Sequence, residues 1–433
     1  MTNATTNATT APAMAPRTLP DAAGLAAATP PDRDRYADLL RLFSIGMVVL
    51  GHWVVALLTV HGAGAVTSSL PLMLSTWVWQ VMALFFFVGG FAHARALRHR
   101  PPAAEFVRAR VARLLPPVLV LLAVWTALAA LMHAGGLTAG EFAVGLQLVT
   151  VPLWFLGVYL VIVLAAPATA ALHRRFGLWP VLGAFAVAVA CVDVLARGLD
   201  VPPAGYANLL LVWPAVHQLG YGYADGTLQR GGRRLAAVLA GGGLAATALL
   251  VFGPFGYPVL MVGLPGNEAS NAAPPTLALL AQSLFLVGAA LLLRPAGNAL
   301  VARPRAWYAV AVGSSVIMTV YCWHLTACYA VQGVLLALGV RLPAPDTAWW
   351  FAALAGWLVG CSLALVALVA LFRRFERPYG AFARGTVRPS AVVAGTLAAA
   401  AGLYAVAEAG LDVPAAAALP LALVAAGTWA LRG

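Results

Sequence analysis

The chain has 433 residues, 62% of them hydrophobic and only 9% charged, and its mean hydropathy is +0.89. A water-soluble domain cannot hide that much apolar surface, so composition excludes one and predicts an all-α polytopic membrane helix bundle. The net charge of +12 rests on arginine alone, because lysine is absent. Nucleic-acid binding would want a basic stripe with interleaved aromatics on a soluble surface, and the sequence has none.

In chain order, residues 1–32 are rich in Ala, Thr and Pro without apolar periodicity and are expected to form a disordered cytoplasmic tail. No cleavable signal peptide is expected before the first apolar run. Runs near the ~20 residues needed to cross hydrocarbon fall at 39–60, 72–94, 114–134, 143–168, 178–196, 206–225, 235–253, 276–293, 309–335, 348–371, 391–409 and 414–431. This is a ten-span core over residues 33–385, followed by a C-terminal helical hairpin over 386–433 whose short turn is "GLDVP". With the N-terminus inside and the spans alternating, only Arg197 and Arg341 of the 26 arginines fall outside. Positive-inside orientation demands such a split, and it puts both termini in the cytoplasm.

Span 1 carries "DLLRLFSIGMVVLGHW", residues 38–53. Eleven helical steps of about 100° return to nearly the same direction, so Arg41 and His52 share a face about 16 Å apart along the axis. Asp38, Arg41, Ile45, Val48 and His52 form one stripe from the surface to mid-depth. An ionisable group at mid-membrane faces the bundle interior or a wet cavity, and a neutral imidazole there fits a general base. The plain alternative is a histidine bonded to a neighbouring helix. The loop "ARALRHRPPAAEFVRARVARLLPP", residues 94–117, brings six arginines to the same side. Arg110 and Arg113 lie on one helix face, and arginine forks suit phosphate oxygens, as a dock for a phosphorylated cytoplasmic donor requires. Orientation charge and lipid-headgroup contact are the other reading of these arginines.

Several chemistries have no residues to carry them. There is no GxSxG elbow, no Walker A and no GxGxxG, and Leu57 stands where an H-x4-D pattern starting at His52 would need its acid. Cys191, Cys322, Cys328 and Cys361 sit in apolar runs without metal-ligand spacing, so no metal site is expected. A proton-coupled transporter would want several carboxylates within its spans, and only Asp193 and Glu408 lie in apolar runs. A transporter or flippase without acyl transfer remains the alternative class. His324 in "YCWHL" is expected to line an acceptor or pack in the core, and His217 shares that ambiguity. His61, His99, His133 and His173 read as interfacial. The outer stretch 253–275 reads as a shaped lid or a connector.

The chain resembles the acyltransferase-3 family of multi-spanning O-acyltransferases from about residue 33 to 385. "YADLLRLFSIGMVVLGH" is similar to its opening D-x-L-R followed by a histidine, with ten residues between the arginine and the histidine. "LFFFVGGFAHAR" resembles its Phe-Phe-x-x-Ser-Gly-Phe box, with Gly89 where serine is common. "RARVARLLPP", "PLWFLGVYL", "GSSVIMTVYCWHLTACY" and "RFERPYGAF" resemble its R-x-x-R, Trp-Phe-Leu-x-x-Tyr-Leu, Ser…Tyr-x-x-His and closing Glu-x-Pro boxes in family order. The resemblance implies a transferase for groups other than aminoacyl, moving an acyl group, acetyl or short, from cytoplasmic acyl-CoA to a hydroxyl on a sugar or other acceptor. It implies no permanently bound cofactor. On it, His52 and Arg41 are catalytic, Arg110 and Arg113 bind the donor, and Trp154, Tyr159, Tyr321 and His324 bind substrate.

Overall fold

A computed structural model describes residues 21–60, 69–136, 141–264, 269–345, 347–376 and 385–432. The expectations for residues 1–20, His61, Pro378 of the closing Glu-x-Pro box and part of the 253–275 stretch fall outside these. In chain order the helices are α1 (Ala22–Ala28), α2 (Arg35–Val60), α3 (Leu70–Trp79), α4 (Met82–Leu97), α5 (Ala103–Ala134), α6 (Glu141–Leu148), α7 (Leu153–Phe176) and α8 (Leu178–Asp193). Then follow α9 (Val212–Ala224), α10 (Gly232–Phe252), α11 (Leu277–Val301), α12 (Pro304–Ser315), α13 (Ile317–Ala337), α14 (Trp350–Phe372), α15 (Pro389–Ala409) and α16 (Pro414–Ala430). Ten helical segments among the described residues are long and apolar enough to cross a membrane. Helices dominate because hydrocarbon offers backbone groups no other partner.

Two of the twelve expected spans are shorter than the rest. Helix α16 has 17 residues and closes the C-terminal hairpin. The run 206–225 divides into a 3₁₀ segment, Pro202–Leu210, and the 13-residue α9. Every residue from Val212 to Tyr223 is buried, among them His217 and Gln218. This helix occupies the middle of the bundle, where side chains meet protein on all sides and polar ones can find partners. Two other runs are interrupted. The 72–94 run breaks at Gln80, whose side chain accepts from Met82 N and donates to the Met261 carbonyl. The 309–335 run, expected as one span, is α12 and α13 with a break at Val316. Within the expected tail, α1 forms under an Asp21 cap, and Thr29 Oγ1 accepts from Trp307 Nε1 on α12.

The two ends of the bundle differ. At one, Arg95 pairs with Asp32, Arg98 donates to the Ala224 carbonyl, and Tyr223 donates to Asp34. Arg108 donates to the carbonyls of Gly385, Leu431 and Arg432, which ties the start of α5 to the end of the hairpin. At the other end the 257–261 segment is pinned by Trp77 Nε1 on the Val259 carbonyl and by Met261 N on Thr76 Oγ1. Asp193 gathers that end, accepting from Asn208, Tyr257 and Leu277 N.

Small residues set the helix spacing, as they must where lipid supplies no hydrophobic drive between helices. A Cβ at Gly90 on α4 would collide with the His217 carbonyl, and one at Gly220 on α9 with the Phe87 carbonyl. The backbones of α4 and α9 therefore touch, which brings His93 and His217 together. A Cβ at Gly157 on α7 would stand 2.8 Å from the Ala400 carbonyl, so the hairpin packs backbone-to-backbone on α7. Gly90→Val should separate α4 from α9 and cost on the order of 3 kcal/mol. The measurement is thermal unfolding in detergent, where an unchanged melting temperature would contradict this packing.

Candidate active site

The stripe on α2 ends at His52, and α13 delivers the partner. His52 Nδ1 and His324 Nε2 are 2.7 Å apart, with the ring planes 14° from parallel. His324 Nδ1 lies 2.7 Å from the Tyr321 carbonyl one turn earlier. A carbonyl only accepts, so His324 Nδ1 carries the proton. With both rings neutral, His324 Nε2 is then an acceptor and His52 Nδ1–H donates to it. The chain of bonds fixes the last tautomer as well: His52 Nε2 bears a lone pair. His324 is fully buried, whereas His52 is half-buried.

Tryptophans and one carboxylate hold this pair. Trp53 Nε1 donates to the His324 carbonyl at 2.8 Å, and Trp357 Nε1 donates to the Trp53 carbonyl at 2.9 Å. Trp125 Nε1 donates to Thr326 Oγ1, adding α5 to the same level. Glu376 lies at the start of α13. Its carboxylate accepts from Met318 N at 3.0 Å, from Thr319 N at 3.1 Å and from Thr319 Oγ1 at 2.6 Å. These are the second and third residues of the helix, whose N–H groups have no intrahelical partner, and a negative charge there also meets the positive end of the helix dipole. Glu376 explains why the expected span restarts at Ile317.

A second imidazole pair sits between α4 and α9. His93 Nδ1 and His217 Nε2 are 3.0 Å apart, and Tyr159 Oη on α7 lies 3.4 Å from His93 Nε2. Both histidines are buried. Tyr159 is within electrostatic reach of Arg110 and Arg41, and Arg110 in turn of Arg113. The expected donor-binding arginines, Arg41 and Tyr159 thus converge on one region. Arg41 donates to Asp38 Oδ1 at 2.9 Å, but its buried Nε has no partner. Arg110 lies against the Phe106 ring and forms no ion pair among the described residues; Arg113 is exposed. A Cβ at Gly89 would stand 3.3 Å from the Tyr159 ring and hydroxyl, a tight contact.

Rings link the two pairs. Tyr321 stands 6.2 Å from His324, Phe155 is 5.9 Å from both Tyr321 and Tyr159, and Tyr159 is 5.8 Å from His93. The Tyr321 hydroxyl donates to the Pro152 carbonyl, and the half-buried Trp154 lies against Phe155. Sequence reasoning missed His93 altogether, although the neighbouring Gly89-Gly90 marks a close helix approach. It also left Glu376 without a role and set His173 aside as interfacial. His173 is buried, with Nδ1 on Gln218 Oε1 and Nε2 on Asp225 Oδ2. No cluster of three or more metal-ligating side chains occurs among the described residues.

The fold and this site define a polytopic helical membrane protein with a directed imidazole pair inside its bundle. Residues 34–373 match the family model of the acyltransferase-3 family, described as an acyltransferase domain, and the chain belongs to that family. It is a membrane acyltransferase. No curated protein and no solved structure matches the chain. Glu376 and the C-terminal hairpin lie beyond the matched residues. Glu376→Ala should cost about 1–2 kcal/mol by uncapping α13, and Glu376→Gln, which retains an acceptor, should cost less. Thermal unfolding of the two variants in the same detergent checks the order.

Proposed function

We propose that this acyltransferase moves an acetyl or other short acyl group from acyl-CoA to a hydroxyl of a sugar or other small acceptor, with His52 as general base. The observation that carries the reading is the directed chain from the Tyr321 carbonyl through His324 to His52, because it leaves the Nε2 lone pair available. The acceptor's hydroxyl proton passes to Nε2 as its oxygen bonds to the thioester carbonyl carbon. The carbon–sulfur bond then breaks, and the thiolate takes the proton from Nε2 to give free CoA and the ester. No acyl-enzyme is needed. His324 acts as a positioning residue: its lone pair fixes the His52 tautomer and supports the ring while it carries charge.

Arg41, Arg110 and Arg113 supply the donor site, with phosphate oxygens as the acceptors that the unpartnered Arg41 Nε and the partly buried Arg110 lack. The arginine split supports a cytoplasmic position for this end and for both termini, the side from which acyl-CoA would dock. Trp154 and Tyr159 lie on α7, where Phe155 meets Tyr321 and Tyr159 is within electrostatic reach of Arg110 and Arg41, and in this reading they flank the donor's neutral arm. Tyr321 supports His324 through its carbonyl.

Release of free CoA by the purified protein is the direct assay. His52→Ala should lower kcat by about 10²–10⁴ with membrane insertion intact. His324→Phe should lower kcat while leaving the donor KM unchanged. Turnover by His52→Ala at the wild-type rate, or substrate movement without thioester cleavage, would overturn the proposal. Arg110→Ala and Arg113→Ala should instead raise the KM for acyl-CoA, each by about tenfold, as loss of a charge-assisted bond does. An unchanged donor KM would leave these arginines to lipid headgroups.

A further inference from the structure

A cavity of about 250 Å³ opens between the ends of α4 and α7, lined by Leu97, Arg100, Pro101, Pro167 and Arg174. Neither guanidinium forms a hydrogen bond or ion pair among the described residues. Arg175 lies over the Phe176 ring, and other arginines at this end are hydrogen-bonded: Arg95 with Asp32, Arg98 with the Ala224 carbonyl, Arg108 with three carbonyls and Arg230 with the Asp225 carbonyl. Arg100 has φ 47°, in the left-handed region where an L side chain is strained and glycine is not. The turn of α7 that carries Arg174 is held rigid by the bonds of His173 to Gln218 and Asp225. Basic residues near helix C-termini are favoured by the helix dipole. That preference accounts for neither the strained backbone at Arg100 nor the open space shared by two like charges.

We infer that Arg100 and Arg174 form a phosphoryl-binding subsite separate from the Arg41, Arg110 and Arg113 cluster. It lies on the same end of the bundle, since residues 98–102 alone separate α4 from α5. The volume falls just under the range of pockets that enclose a drug-sized ligand, about 300–1,000 Å³, so it admits a phosphoryl group and the first atoms attached to it. The ligand chemistry is a phosphate ester with exposed oxygens. Resting on the donor reading above, the assignment is the 3′-phosphate of CoA, and the arginine cluster nearer Tyr159 then takes the diphosphate. The same chemistry is offered by the headgroup of an anionic phospholipid.

The test uses the full chain in phosphatidylcholine nanodiscs and measures binding of CoA and of 3′-dephospho-CoA. The wild type should bind CoA about tenfold more tightly than the dephospho probe, the worth of one charge-assisted contact. Arg174→Ala and Arg100→Gly should erase that difference without weakening the dephospho probe. Arg100→Gly relieves the left-handed strain, so it should melt no lower than the wild type while it loses CoA affinity. Wild-type discrimination retained in both variants would overturn the subsite. Arg110→Ala should weaken both probes alike, which tests the donor reading independently. If the wild type binds neither probe, that reading fails, and retention of phosphatidylglycerol in mixed vesicles decides the subsite. Lower retention by the two variants would assign it to a lipid headgroup, and equal retention would remove it.

Discussion

Two neutral imidazoles with nitrogens 2.7 Å apart can hold only one proton between them, and which ring owns it is decided elsewhere. Here the Tyr321 carbonyl decides. By occupying the proton of His324 Nδ1 it leaves Nε2 bare, and His52 must then donate from Nδ1. The chemistry available at His52 Nε2 therefore depends on a backbone carbonyl on another helix, and on everything that keeps α13 in register with α2. That explains why so many hydrogen bonds around the pair are structural. Trp53 reaches the His324 carbonyl, Trp357 reaches the Trp53 carbonyl, and Glu376 closes the open end of α13. Each side chain satisfies a polar group that hydrocarbon would leave bare, and each removes a degree of freedom from the pair.

The same economy shapes the rest of the bundle. Polar side chains inside the membrane are costly unless they meet one another, so they concentrate where helices touch. Helix α9 is the extreme case: it holds His217, Gln218, Tyr221 and Tyr223, all buried, and every one has a partner outside the helix. Close approach of α4 at Gly90 makes the His93 contact possible. The second imidazole pair thus follows from two glycines as much as from two histidines.

Much of the architecture was legible in the sequence because lipid imposes a simple rule: helices that face it must be apolar for about 20 residues. The rule fails where a helix never meets lipid, which is why the run at 206–225 misjudges the short, polar α9. It also fails where an interior break is capped from afar, as Glu376 caps α13 from 57 residues downstream. Within one helix, spacing sufficed to place Arg41 and His52 on a common face. Across helices it did not. The contact between His52 and His324 spans 272 residues, and nothing local distinguishes the buried His324 from a core histidine. The pairing of His93 with His217 was equally out of reach, although the Gly-Gly before His93 marks the place where another backbone must come close.

The separation on α2 constrains what can react here. Arg41 and His52 stand about 16 Å apart on one face of one helix, so the cationic end and the lone pair cannot both touch a compact anion. A ligand that engages both must carry its charge at one end and its reactive carbon at the other, with a long uncharged arm between them. The intervening stripe residues Ile45 and Val48 are apolar, and Phe155 and Trp154 lie on the helix opposite Tyr321. A thioester on a phosphopantetheine arm has that distribution of charge, whereas free phosphate, a nucleotide or a short acyl phosphate does not. In the proposed reaction this geometry would select for donor length as well as donor charge: an arm shortened by a few bonds would keep its hold on the arginines while its carbonyl carbon fell short of His52.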